Sequence, residues 1–570
     1  MLSRGELAGL VVAPDGTAAI ATAGGGLVAS AAEVGRVDAQ IRPRWVTWSQ
    51  ETARLLVDRG IRLSTCWDIA AVQRLRSGGF RADPGYAWAM LRGLPPEGVH
   101  PAPGPSSSSP DLFSSADDGA RAAAGAGADE PIGPDGYLRA NWVRGGWADS
   151  PGTAIAWARL ARQAAELQQS ALTGGIAGGG GIAVAAARSE STVELLCAEL
   201  AADGLPMSRA AAENLLTEII GPRPRGIAAA TASRAERDST VLRHAPAGVT
   251  ADLRSPVQVR SLLASAGIDV PDTRAWRLAE FAASSPLVEA LLNWRKAERI
   301  ATTYGYAWLD EHLGPDGRLR GMWTGCDGAA GRMTASSGLH NMPAALRKAV
   351  LAEPGHLFVR ADLGQIEPRV LAAVSGDAAL ASATAAGDMY LPVAAELGVD
   401  RPTAKVAMIA AMYGQTSGHG GAAGRRMRTA YPVAMGYLDA AGRSAGGGHD
   451  LRTYGGRLIA MPGGGAGRGL YGRNALIQGA AAELFKMWAV TVRARASALD
   501  ARIVLCLHDE LLVHVPEEHA VRAARMVSEC LAETAGRWAP GGRVRFLADV
   551  TTVRCWADAK AVPGTGLPGT

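Results

Sequence analysis

An α+β fold spread over several domains is predicted by three features of the sequence. Apolar β-like runs occur at 7–25, 356–361 and 501–516, with lengths and bounding turn residues typical of strands. Helical periodicity marks TAIAWARLARQAAELQQSAL (153–172) and the stretches after each later strand, so helices and strands are interspersed to about residue 560. At 570 residues and 58.8 kDa the chain exceeds one ordinary domain, and two to four are expected.

Composition narrows the function classes. Hydrophobic residues are 48%, charged residues 20% and mean hydropathy is +0.05, which is globular rather than disordered. The 71 glycines follow no collagen-like period. No apolar run approaches the roughly 18 residues a membrane span requires, and MLSRGELAGLVVAPDG lacks the apolar core of a secretory signal. A cytoplasmic protein is expected. The six cysteines (Cys66, Cys197, Cys326, Cys506, Cys530, Cys555) include no C-x-x-C pair, so free thiols in a reducing compartment are expected rather than disulfides or zinc. A formal charge of +4 does not by itself indicate nucleic acid. Only Lys296, Lys348, Lys405, Lys486 and Lys560 are lysines, the remaining basic side chains being arginine. Arginine suits bidentate phosphate contacts, although a GC-rich genome produces the same bias.

The chain divides unevenly. The run LAGLVVAPDGTAAIATAGG turns at Asp15-Gly16 and opens a region of about 100 residues. Residues 101–135 are rich in Pro, Ser, Gly and Ala and read as a flexible linker. AVPGTGLPGT at 561–570 reads as a frayed tail.

Four segments carry candidate chemistry. In HLFVRADLGQIEPRVLAAVSGD (356–377) a short strand ends in Asp362 and a helix follows from Glu367. A strand-end acid binds a cation or serves as a cap or turn residue. In ARIVLCLHDELLVHVP (501–516) two β-like runs flank His508-Asp509-Glu510, a hairpin whose turn presents adjacent carboxylates, either as a rigid metal site or as a solvated turn. Together Asp362 and Asp509 could hold two divalent cations for phosphoryl transfer. In DRPTAKVAMIAAMYGQTSG (400–418), Asp400 and Pro402 open a helix, and Arg401, Lys405, Ile409 and Tyr413 recur every four residues along one face. That face suits a triphosphate and a base, or is the basic end of an amphipathic helix. In GRNALIQGAAAELFKMWAV (472–490), Asn474 and Gln478 lie one turn apart, facing nucleic acid or capping a core helix.

In this order the segments resemble the polymerase module of DNA polymerase family A, the DNA polymerase I group. ADLGQIEPRVLAAVSGD is similar to motif A, RPTAKVAMIAAMYG to motif B and CLHDELLVHVP to motif C. GRMTASSGLHNMP (331–343), SPLVEALLNWRKAERIATTY (285–304), RTYGGRLIAMP (452–462) and FLADVTTVRCWADAK (546–560) extend the likeness over about 190–560. The resemblance implies an α+β right-hand polymerase fold within 190–562: thumb about 190–330, palm about 331–385 and 471–562, fingers about 386–470. It implies that Asp362 and Asp509 bind two magnesium ions (manganese also being accepted), with Glu510 auxiliary and Lys405 catalytic. Arg401 and Lys405 would hold the nucleotide's phosphates, Ile409 and Gln365 would line its pocket, Tyr413 would close it and Glu367 would exclude a ribose 2′-hydroxyl. Arg332, Asn341, Asn474, Gln478 and His508 would contact primer-template DNA. The partners implied are DNA and deoxynucleoside triphosphates, on a monomer acting in repair or gap filling at the nucleoid, with no membrane.

The sequence departs from the family at several positions. Leu363 and Gly364 stand where tyrosine and serine are usual, Pro368 where leucine is, and Tyr390 where histidine is common. Ile409 replaces the nucleotide-facing aromatic and Met408 the asparagine before it, which removes stacking area against an incoming base.

Family A enzymes often carry a 3′-5′ exonuclease domain, which needs a D-x-E pair on its first strand and a Y-x-x-x-D pattern. The first 150 residues hold no D-x-E, and Tyr86 and Tyr137 are followed four positions later by Met90 and Asn141. LVVAPDG offers only Asp15, in a turn. A degenerate, inactive exonuclease-like domain is expected over 1–100, with a helical remainder at 136–189. The arrangement is similar to actinobacterial bifunctional 3′-5′ exonuclease/DNA polymerase proteins. Two alternatives stand beside the polymerase: a single-subunit RNA polymerase, which Glu367 beside Tyr413 opposes, and a non-catalytic DNA-binding protein that keeps the fold. A lyase or nuclease built on His508-Asp509-Glu510 leaves the other segments unexplained.

Overall fold

The computed structural model describes residues 2–99, 130–174, 180–414, 419–461 and 463–560. The expected linker lies outside the described residues as far as 129, and so does the tail at 561–570. Within residues 130–138, where the expected linker ends, Ile132 bridges Leu138.

Strands β1 (Leu7–Val12) and β2 (Thr17–Thr22) form the first hairpin. Asp15 holds its turn by accepting the Thr17 N–H at 2.8 Å. With β3 (Gly25–Ser30), β4 (Arg44–Thr47) and β5 (Cys66–Asp68) they make a sheet ordered β3-β2-β1-β4-β5. β4 runs parallel to both β1 and β5, while β2 is antiparallel to its neighbours. The two-residue period sends Ala8, Leu10 and Val12 to one core with Trp45 and Leu56, and Val11 to another with Trp67 and Ala158. Helix α1 (Pro151–Gly174) covers the second face. It lies so close that a Cβ on Gly9 would stand 1.9 Å from the Ala158 carbonyl oxygen, an approach only glycine permits.

Helix α2 (Gly180–Asp203) runs unbroken through residues 189 and 190. Beyond it, helices Arg209–Ile220, Ile227–Leu242 and Pro286–Thr303 occupy the stretch expected as the thumb. A separate core of Val241, Leu262, Leu291 and Trp294 packs part of it.

The largest core surrounds a second sheet. Strand β6 (His356–Leu363) leads into helix α3 (Ile366–Ser375). A helical stretch follows, including α4 (Arg401–Tyr413) and Pro432–Gly446, and then the long helix α5 (Ala466–Ala496). Strands β7 (Arg502–Leu507) and β8 (Glu510–Pro516), helix α6 (Ala520–Trp538) and strand β9 (Ala548–Val553) complete the unit. The sheet is ordered β7-β8-β6-β9, every neighbouring pair antiparallel.

Buried ion pairs bind the two halves. Glu190 on α2 accepts from Lys486 on α5 at 2.8 Å and pairs with Arg457 at 2.7 Å. Burial alone would raise its carboxyl pKa, and the two cations reverse that and leave it lowered. Arg493 on α5 binds Glu199 at 2.6 Å and donates to the Leu63 and Ser64 carbonyls at 2.6 and 3.2 Å, reaching the first sheet's connecting loop. Breaking such a pair leaves a buried charge without its partner and costs about 3–5 kcal/mol, and the Arg493 contacts fasten the first sheet's loop to α5.

Candidate active site

The carboxylates come together at one end of the second sheet. Period-two alternation puts Arg360 and Asp362 of β6 on the same face. Register then sets Glu510 of β8 and Asp549 of β9 directly across from Asp362, one on each side. Leu507 pairs with Glu510, so His508 and Asp509 form the hairpin turn. The Leu363 N–H donates to the Asp509 carbonyl at 2.8 Å, which fastens that turn to the end of β6. Both predicted acids, Asp362 and Asp509, are therefore neighbours at partly exposed strand ends.

Each acid is flanked by a non-glycine residue in the left-handed region, Gln365 at φ 56° and His508 at φ 46°. An L-residue there costs about 1–2 kcal/mol, and such strain collects at sites whose geometry must be fixed. The His508 ring meets His340 edge-to-face at 4.4 Å. Burial, with Arg332 nearby, lowers the His508 pKa; burial, with His508 nearby, lowers that of His340. Both rings are held toward their neutral forms.

One expectation is corrected here. Glu510 is not presented by the turn. It is the first residue of β8, only 5% exposed, accepting from Trp556 Nε1 at 2.6 Å and from Arg360 at 3.2 Å. Gln365, expected to line the nucleotide's pocket, lies in the turn after β6. It donates to Asp388 at 2.8 Å and accepts from the Met389 N–H at 3.0 Å, bracing the turn between β6 and α3. Asp388 in turn grips Arg401, whose guanidinium also lies over the Tyr390 ring at 5.6 Å.

Helix α4 is built as the sequence predicts. Asp400 caps it, accepting from the Thr403 N–H at 2.8 Å, and Gly414 ends it at φ 70°. Ala404, Ala407, Met408 and Ala411 are buried, leaving Arg401, Lys405, Ile409 and Tyr413 on the open face. Among the described residues the Lys405 ammonium forms no ion pair. The Tyr413 hydroxyl donates to Glu367 on α3 at 2.8 Å, and Glu367 also pairs with Arg332 at 3.2 Å. Burial, and then the Glu367 charge, raises the Tyr413 pKa, while Gln478 hydrogen-bonds the same hydroxyl. Arg332, Glu367, Tyr413 and Gln478 thus form one connected wall. Asn474 lies a turn before Gln478 on α5, its buried Oδ1 having no hydrogen-bond partner among the described residues. Asn341 is exposed, its carbonyl accepting from Arg299 at 3.0 Å.

Three residues were missed in the sequence: Arg360, Asp549 and Trp556. Arg360 was readable, two positions before Asp362 on the same strand. Asp549 and Trp556 join the site only through tertiary pairing. The carboxylates offer hard oxygen donors of the kind magnesium and manganese take, so by donor chemistry the cluster fits a divalent ion. Three of those oxygens, one each on Asp362, Glu510 and Asp549, are already in contact with Arg360.

Residues 230–419 and 471–558 match the family model of DNA polymerase family A. The chain is 31% identical over 296 residues to DNA polymerase I of Chloroflexus aurantiacus, covering 45% of this chain and 31% of that protein. It is 27% identical over 290 residues to the thermostable DNA polymerase I of Thermus aquaticus, covering 43% and 34%. It spans about a third of the length of these curated relatives. Its fold is similar to the POL domain of Pol1 from M. smegmatis, solved in complex with DNA primer-template and dNTP. The TM-score is 0.67 at 20% identity, over 98% of this chain and 97% of that one.

Proposed function

From the premise that residues 230–419 and 471–558 belong to DNA polymerase family A, we propose that this chain is a DNA-templated DNA polymerase, adding deoxynucleotides to a primer 3′ end. The observation that carries the reading is the Tyr413–Glu367 hydrogen bond of 2.8 Å, which ties the basic face of α4 to the strand–helix unit bearing Asp362. Asp362 and Asp509 would hold magnesium or manganese. The chemistry that bound divalent ions supply is activation of a hydroxyl nucleophile and neutralisation of a leaving pyrophosphate. Lys405 and Arg401 clamp the triphosphate, adding fixed positive charge where negative charge develops. Ile409 offers an apolar wall to the base. Glu367, held by Tyr413 and Arg332, would exclude a 2′-hydroxyl, which favours deoxynucleotides and disfavours the RNA polymerase alternative. Asn474, Gln478, Arg332, Asn341 and His508 face primer-template. Binding is then sequence-independent and weakens with salt, because backbone phosphates supply the affinity.

The N-terminal unit is proposed as an exonuclease-like scaffold without exonuclease activity. β1 carries no acid, and the unit's buried acids Asp38 and Asp68 are engaged in structural hydrogen bonds. A monomeric, nucleoid-associated enzyme of repair or gap filling completes the proposal. No helix of the described residues is long and apolar enough to cross a membrane. A second reading, a non-catalytic DNA-binding protein with the polymerase fold, draws on the Arg360–Asp362 contact.

Nucleotide incorporation on primer-template with magnesium or manganese separates the two. Wild type is expected to extend the primer and Asp509→Ala to lose activity on the order of 10³-fold, several kcal/mol of lost stabilisation. Binding of primer-template by wild type without extension under either metal would favour the non-catalytic reading.

A further inference from the structure

We propose that Arg360 is a tethered cation within the carboxylate cluster, competing with divalent metal for Asp362 and so setting how much metal the site requires. Its catalytic consequence rests on the polymerase reading; the competition itself does not. Arg360 is 3% exposed, and its guanidinium touches carboxylates on three adjacent strands: Asp362 on its own strand, Glu510 at 3.2 Å and Asp549 at 3.4 Å. The cluster is graded. Glu510 is buried and fixed by Trp556 at 2.6 Å, whereas the Asp362 and Asp549 side chains are 28% and 55% exposed. The arginine is therefore anchored on its inner side and exchangeable on its outer side.

Asp362, Asp509, Glu510 and Asp549 would repel one another strongly at one sheet end if no positive charge lay among them. Arg360 supplies that charge, which allows the cluster to persist without metal. The same guanidinium contacts Asp362 Oδ2, one of the two oxygens this carboxylate could offer a divalent ion, and its fixed charge opposes a second cation nearby. A metal taking Oδ2 would displace it. Glu510 and Asp549 give the released guanidinium other partners, so the exchange leaves no buried charge stranded.

The test is manganese binding, read from the paramagnetic resonance signal of free Mn2+, on wild type, Arg360→Met and Arg360→Lys, with Asp362→Asn as the control for the site. Arg360→Met is expected to bind manganese more tightly by roughly 10- to 100-fold, the range over which groups around metal ligands tune affinity. Arg360→Lys, which keeps the charge but is too compact to bridge all three carboxylates, is expected to fall between. If Arg360→Met does not fold, Arg360→Lys decides. Manganese affinity unchanged or weakened in the folded variants would overturn the proposal and leave Arg360 a scaffold residue. Primer extension on the same samples separates the two readings. Tighter binding with no extension by any protein would uphold the competition and overturn the polymerase reading. Extension by wild type with unaltered manganese affinity in the variants would do the reverse.

Discussion

Around the first sheet the buried acids Asp38 and Asp68 are each engaged by neighbours. Asp38 accepts from Trp45 Nε1 at 2.9 Å and from the Ser64 N–H and hydroxyl at 3.0 and 2.6 Å. Asp68 caps the helix Ile69–Ser77, accepting from Ala71 at 2.8 Å and Thr47 at 3.4 Å. In the second sheet Asp362, Asp509 and Asp549 stand at strand ends open to solvent, with Glu510 and Arg360 packed beneath them. Both sheets are flanked by helices and both have well-filled cores. What differs is whether the carboxylates are exposed to solvent. A buried acid with its hydrogen bonds satisfied stabilises a fold, and an accessible cluster of acids is a site for cations.

The contrast sharpens if charge is removed from each side. Lys405→Ala is expected to lower kcat/KM for nucleotide incorporation by about 10²–10³-fold, as loss of a transition-state donor does. Asp68→Asn, in the first sheet, should leave incorporation unchanged in the same steady-state assay. Glu367→Ala removes the group that Tyr413 and Arg332 hold in place. The preference for deoxynucleotides over ribonucleotides should fall by roughly 10- to 200-fold, measured as a ratio of kcat/KM values. An unaltered ratio would place discrimination elsewhere.

Gly9→Ala tests the first sheet as scaffold. The added methyl must push α1 off β1, costing about 1–3 kcal/mol in denaturant unfolding, with specific activity of the folded enzyme unchanged. The smallest expected effect is a difference in pH dependence. Burial raises Asp68 to about 6, and burial together with the Asp68 charge raises Glu194 to about 7. These protons are held more tightly in the folded state, so this contribution to stability is complete below about pH 4 and is lost as pH rises toward 7. In the second sheet burial, with Arg318 and His356 beside it, lowers His514 to about 3. Its unfolded form takes a proton more readily, so that contribution is present above about pH 6.5 and is lost as pH falls toward 3. Urea unfolding across pH should show Asp68→Asn/Glu194→Gln flattening the decline between pH 4 and 7, and His514→Phe flattening the decline below pH 6.5.

Much of the site was legible in the sequence. A strand ending in Asp362, a hairpin around Asp509 and the four-residue spacing of Arg401, Lys405, Ile409 and Tyr413 are local patterns, and each formed as its period required. Glu367 and Tyr413 were expected side by side, and they meet at 2.8 Å. Glu510 was misplaced because turn composition does not say where pairing resumes, and register made it a buried strand residue. The Gln365–Asp388 hydrogen bond was not legible, because Asp388 comes from a loop that periodicity cannot position. Asp549 depends on β9 pairing with β6, and the Glu190–Lys486 seam joins residues 296 positions apart. No local pattern reports such pairings.

The most direct measurement follows the fate of a 5′-labelled primer annealed to a longer template, incubated with wild-type protein and magnesium, with and without the four deoxynucleotides. The primer is expected to lengthen with nucleotides and to stay intact without them, which places the chemistry at the open acids of the second sheet and none at the first. Shortening of the primer from its 3′ end in the lane without nucleotides would contradict the account, since the first sheet would then hold a working nuclease. A primer unchanged in both lanes would contradict it at the second sheet.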